Sequence, residues 1–99
     1  IVLMRLFRSM EYQIKISKEA ERDLLSAKCH YKITNLEKQF DADFMSQIQY
    51  LKVNPFLTQV YYRNIRRIHF NTFRYSIHYI VQDNTVFILR ILHHKQKSE

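Results

Sequence analysis

The chain has 99 residues, of which 46% are hydrophobic and 25% charged, with no glycine, one proline and one cysteine. A single small domain with a thin core follows, because a chain this short hides only about 60–65% of its unfolded surface. Disordered, collagen-like and disulfide-stapled classes are excluded, and the net charge of +7 suits a polyanion or an acidic partner protein.

Residues 1–9 (IVLMRLFRS) form a basic and apolar lead without the small-residue cleavage site of a signal peptide. The domain is therefore placed at 10–97. Glu11 to Ser17 alternates Tyr12, Ile14 and Ile16 with polar residues, the pattern of a half-buried strand. Ser17 can cap the helix that follows, with Glu19, Glu21 and Asp23 near its positive end. Ala20, Leu24, Ala27 and Tyr31 recur at helical spacing, so a helix is expected over Ser17–Tyr31. Cys29 falls within it as a packing residue and not a nucleophile.

Thr34-Asn35-Leu36-Glu37 reads as a capping box. It opens a second helix over Asn35–Val53, whose apolar stripe is Leu36, Phe40, Phe44, Ile48 and Leu51. Asn54-Pro55 ends that helix, and so short a connection folds the two helices into an antiparallel hairpin.

The periodicity then changes to two. Gln59–Arg63, Ile65–Phe70, Phe73–Val81 and Val86–His93 are rich in Ile, Val, Tyr and Phe, with Asn- or Asp-containing turns between them. Tyr75, Ile77, Tyr79 and Val81 face one way, and Arg74, Ser76 and His78 the other. In the last strand Phe87, Leu89 and Ile91 are expected on the core side. The expected core is Leu24, Phe40, Phe44, Ile48, Tyr75, Ile77, Leu89 and Ile91. The fold class is α+β: a strand, an antiparallel helical hairpin, then a mostly antiparallel sheet of three to four further strands.

Register decides which side chains share a face. A three-residue turn at Asp83-Asn84-Thr85 keeps the apolar sets together and puts Arg74, Ser76, His78, Arg90 and His94 on the face away from the helices. Seven basic side chains lie beyond Val53 against only Asp83 and Glu99, together with four of the five histidines. Arginine grips phosphate or carboxylate through a planar fork, and imidazole exchanges protons near neutral pH. The catalytic candidates are accordingly Arg74, His78, Arg90, His94 and Lys95. The candidates for binding a target or partner are Arg67, Arg74, Arg90, Lys95 and Lys97. Such side chains are often plain solvated surface, so they identify no function by themselves. No metal site or cofactor is expected: His93 and His94 point to opposite faces of a strand, and there is no glycine for a phosphate-binding loop. No apolar run approaches the ~20 residues of a membrane-spanning helix. One unpaired cysteine fits the reducing cytoplasm.

Several segments resemble a known family. Ser17-Lys18-Glu19-Ala20-Glu21-Arg22-Asp23-Leu24 is similar to the opening S-x-E-A-x-x-D-L of ParE-type toxins. Leu51-Lys52-Val53-Asn54-Pro55 is similar to the end of their second helix. Ile65-Arg66-Arg67-Ile68, Phe73-Arg74-Tyr75-Ser76-Ile77-His78-Tyr79 and Val86 to His93 resemble their V-R-R-L, Y-R-I-x-Y and V-V-I-L-x-V-L-H strands. The resemblance to the RelE/ParE superfamily runs from about Tyr12 to Lys95. It implies the toxin of a type II toxin–antitoxin pair, neutralised by an acidic antitoxin that folds as it binds. The target it implies is DNA gyrase in the ParE-like branch, or messenger RNA on the ribosome in the RelE-like branch; a catalytically inert nucleic-acid-binding or degenerate toxin domain is the further alternative. Ser76 stands where the family pattern has an arginine, and Gln96 where nuclease members place a basic residue. Those departures, and the long helical hairpin, favour the ParE-like branch.

Overall fold

The computed structural model describes residues 11–94. The elements are β1 (Gln13–Ile16), α1 (Lys18–Ile33), α2 (Glu37–Val53), β2 (Gln59–Tyr62), β3 (Ile65–His69), β4 (Tyr75–Gln82) and β5 (Thr85–His93). They form one five-stranded sheet in the order β1-β5-β4-β3-β2. β1 runs parallel to β5 and every other pair is antiparallel. The α+β architecture expected from the sequence is the one found. The lead at 1–9, and Lys95 and Lys97, lie outside the described residues.

Ser17 has extended backbone, and its hydroxyl accepts from Ala20 N at 3.0 Å while donating to Leu89 O at 2.8 Å. One side chain thus caps α1 and ties it to β5. The capping box expected at Thr34 is not there. Thr34 instead ends α1, and α2 starts after Leu36 without a side-chain cap. Asn35 takes a left-handed φ of 63°, with Asn35 N bonded to Lys32 O and Leu36 N to Tyr31 O. This is the paired closure that usually employs glycine; lacking one, the chain uses asparagine. Cys29 is exposed on α1 and does not pack as expected.

The helical hairpin lies on one face of the sheet. The core joins Ala20 and Ala27 of α1, Phe40, Phe44, Ile48 and Leu51 of α2, and Ile77, Tyr79, Val86, Ile88 and Ile91 of the central strands. Leu24 and Tyr75 are half-buried at its margin. Tyr31, Phe40, Phe70, Phe73 and Tyr75 form one aromatic cluster with centroids 4.8–6.2 Å apart, spacing at which offset and edge-on rings attract.

The β4–β5 hairpin departs from expectation. Gln82 pairs with Thr85, so the turn has two residues, Asp83 and Asn84, with Asp83 at φ 56°. The extra residue appears within β5: Tyr79 faces Ile88 and His78 faces Arg90, leaving Leu89 as a bulge. Below the bulge the faces are the reverse of those expected. Val86 and Ile88 join the core, while Phe87 and Leu89 are only half-buried. Above it, Arg90 and Ile91 lie where the longer turn would also have put them.

Candidate functional site

The sheet face away from the helices is built by cross-strand rows. Arg67, His78 and Arg90 are neighbours on β3, β4 and β5, and His69 and Ser76 are neighbours in the next row. His78 is 8% exposed. The Tyr61 ring meets it edge-on at 5.1 Å, and the Arg67 guanidinium lies 4.3 Å over that tyrosine. Burial, reinforced by the positive charge of Arg67, His69 and Arg90, pulls the His78 imidazole down to about 4. At neutral pH it is therefore uncharged.

Arg90 is exposed but engaged. Its Nε and Nη2 donate to the Asp23 carboxylate of α1 at 2.7 and 3.1 Å, and Ile91 N donates to the same carboxylate at 2.9 Å. The Asp23 bond raises the guanidinium pKa further. The fork that would grip a phosphate instead locks α1 to the bulge.

His94 was expected on this face and is found there, just past β5. Its Nε2 lies 3.0 Å from Ser76 Oγ, and His69 Nδ1 lies 2.6 Å from the same oxygen. The two imidazole centroids are 5.0 Å apart. A hydroxyl has one proton, so when both rings are neutral it donates to one and accepts from the other. The result is a His69–Ser76–His94 chain through which a proton can pass. Ser76 is 2% exposed, too enclosed to act as a nucleophile on a large substrate. His93 turns to the opposite face, where its ring meets Tyr75 at 5.0 Å. Arg74 is exposed between the strands, and its carbonyl accepts from His94 N.

The sequence-derived set thus separates into an Arg67–His78–Arg90 row and a His94–Ser76 pair. Three further contributors were not singled out. His69 could have been found from the β3–β4 register, which places it opposite Ser76. For Asp23 the sequence pattern suggests only a partner of the helix dipole. Asp43 lies inside the apolar stripe of α2, beside Phe44, a position where a carboxylate requires donors. It accepts from Asn71 N at 3.0 Å, Thr72 N at 2.7 Å, Phe73 N at 3.3 Å and Gln47 Nε2 at 3.2 Å. Burial pushes its pKa up, but the bonds from Thr72, Asn71, Gln47 and Phe73 outweigh that and hold it below the ordinary carboxylate value. Among the described residues no group of three or more His, Cys, Asp or Glu could hold a metal, and no helix is long and apolar enough to cross a membrane.

Residues 14–98 match the model of the family described as ParE toxin of type II toxin-antitoxin system, parDE. Among solved structures, the chain is similar to one titled as the chromosomal ParDE TA system from P. aeruginosa. That match has a TM-score of 0.70 at 20% identity, covering 85% of this chain and 97% of the other. It is also similar to the solution structure of a conserved hypothetical protein, HP0894, from Helicobacter pylori, with a TM-score of 0.58 at 12% identity, covering 85% and 96%. At these identities the two structures show a shared fold. No curated protein matches the chain.

Proposed function

Since the chain belongs to the ParE toxin family of type II toxin–antitoxin systems, we propose that it arrests growth by inhibiting DNA gyrase and is neutralised by a cognate acidic antitoxin. The observation that carries the gyrase reading is the bidentate Arg90–Asp23 pair. It commits to the fold the arginine that an RNA-cleaving site would need beside the phosphate, while His78 is buried and uncharged beside it. A toxin that works by contact depends instead on its contact cations, here exposed Arg74 and half-buried Arg67, together with Lys95 and Lys97 of the sequence beyond the described residues, with Arg90 positioning the sheet. Expression without a partner should block DNA replication and induce the damage response while bulk messenger RNA stays intact. Purified protein should inhibit gyrase supercoiling, and toxicity should survive His78→Ala and His94→Ala in variants shown to fold.

The His69–Ser76–His94 chain favours a second reading, cleavage of messenger RNA on the ribosome. In that case His94→Ala should cost about 10²–10⁴ in cleavage rate. Ribosome-bound messages cut by the wild type and spared by that variant would replace the gyrase reading.

A further inference from the structure

His69 lies on β3 and His94 follows β5, so the two flank Ser76 of β4 from either side. Register sets the first pairing, since His69 stands opposite Ser76. A backbone bond brings in the second, His94 N donating to Arg74 O at 3.0 Å. His69 Nδ1 and His94 Nε2 therefore address a single point, Ser76 Oγ, at 2.6 and 3.0 Å. Two imidazole nitrogens that converge between strands are also the beginning of a metal site, because imidazole suits zinc, copper and nickel.

The spacing of the rings fits an ion. Zinc lies roughly 2.0–2.1 Å from each imidazole nitrogen in tetrahedral geometry, which puts two such ring centres about 5.2 Å apart. Here the centroids are 5.0 Å apart and the ring planes nearly perpendicular, at 81°. The rings need little movement to share an ion, and the Ser76 hydroxyl turns aside by rotation about one bond. Solvent reaches this place, because His69 is exposed and His94 half-buried beside the buried serine. Among the described residues no third His, Cys, Asp or Glu joins them, so water completes the coordination. Two protein ligands are fewer than the three or four of catalytic and structural zinc sites. An ion held here is accordingly exchangeable. Like charge limits its affinity further: Arg67 stands in the adjacent row, while the charge of Arg90 is offset by Asp23.

We propose that His69 Nδ1 and His94 Nε2 form an exchangeable site for a divalent transition-metal ion of the zinc, copper and nickel class. The bound ion staples β3 to the end of β5 across β4. It also takes both nitrogens that would pass a proton, so the metal-loaded chain relays none. The site stands whether gyrase or messenger RNA is the target.

The probe is zinc chloride, titrated into untagged protein and followed by imidazole nitrogen NMR and calorimetry. Zinc should move the His69 Nδ1 and His94 Nε2 resonances far more than those of His30, His78 or His93. His69→Ala and His94→Ala should each weaken binding by about tenfold or more, since loss of even a supporting group commonly costs about 10–100-fold. Ser76→Ala removes the competing hydroxyl and should bind zinc at least as tightly. Magnesium, which selects oxygen ligands, should not displace the zinc. No binding at millimolar zinc, shifts centred on other histidines, or unchanged affinity in either alanine variant would each overturn the proposal. So would zinc-dependent dimers in light scattering, which would make the ligands those of two copies. Circular dichroism separates lost binding from lost fold; if an alanine variant does not fold, the resonances of the wild type decide by themselves.

Discussion

A carboxylate on the core side of a helix is unfavourable unless donors surround it, and Asp43 has three backbone N–H groups and an amide around it. Its reach from α2 to the β3–β4 connection holds Phe70 and Phe73 against Phe40. Asp43→Ala would leave those amides unsatisfied and should cost about 2–4 kcal/mol in urea unfolding, against an ordinary surface change within about 0.5 kcal/mol. His78 gives a second test at the same scale. Its folded value is near 4 against an ordinary 6.5, so the unfolded chain binds the proton first as pH falls. The stability associated with the neutral ring is complete above about pH 6.5 and is lost progressively toward pH 4. Replacing His78 with Gln should flatten the stability profile across that window, and a profile unchanged by the substitution would place His78 in water.

Among the elements, β5 separates what sequence patterning reveals from what it hides. The helices, the strand order along the chain and the core positions Phe40, Phe44, Ile48, Ile77 and Ile91 follow from periodicity, because burial on one face imposes it. The Leu89 bulge does not. Val86 to Leu92 is apolar at six of seven positions, so neither face stands out and the extra residue fits equally well in the turn or the strand. The Thr34 capping box failed for a related reason: Ser, Thr and Asn serve both helix ends, and Asn35 was needed for the left-handed closure. The candidate site was legible as residue types on a face, but the Arg90–Asp23 and His69–Ser76–His94 partnerships arise between elements distant in sequence. Alanine at Ile88 and at Leu89 tests the bulge. Ile88→Ala should cost about 2–5 kcal/mol as a core cavity, and Leu89→Ala markedly less. The reverse order in thermal or urea unfolding would restore the regular strand.

At the scale of the whole molecule, two four-residue strands close the sheet and the core rests on one helical hairpin against one face. Such a small domain has little stability to spare. Binding of an acidic partner to the folded form alone raises stability by mass action, about 2.7 kcal/mol at a hundred times the dissociation constant. Calorimetry of the chain with the product of a neighbouring acidic reading frame should therefore show a melting temperature that climbs with partner concentration. It should climb less at high salt, since the charges involved are exposed. A salt-insensitive rise would indicate that apolar contact, and not the +7 charge, dominates the association.

The bulge at Leu89 also sets which changes of length the strand tolerates. Removing one residue from a strand ordinarily turns its remaining side chains over, sending core residues to solvent. At Leu89 it would not: Ile88 already faces Tyr79, and Arg90 already faces His78, so excision leaves both partners in place and simply straightens the ladder. The loss is the carbonyl that receives the Ser17 hydroxyl. A chain lacking Leu89 should fold with a weakened α1 attachment, whereas one lacking Phe87 should not fold. Position 89 is thus the point where a descendant of this sequence could shorten by one residue and keep its core.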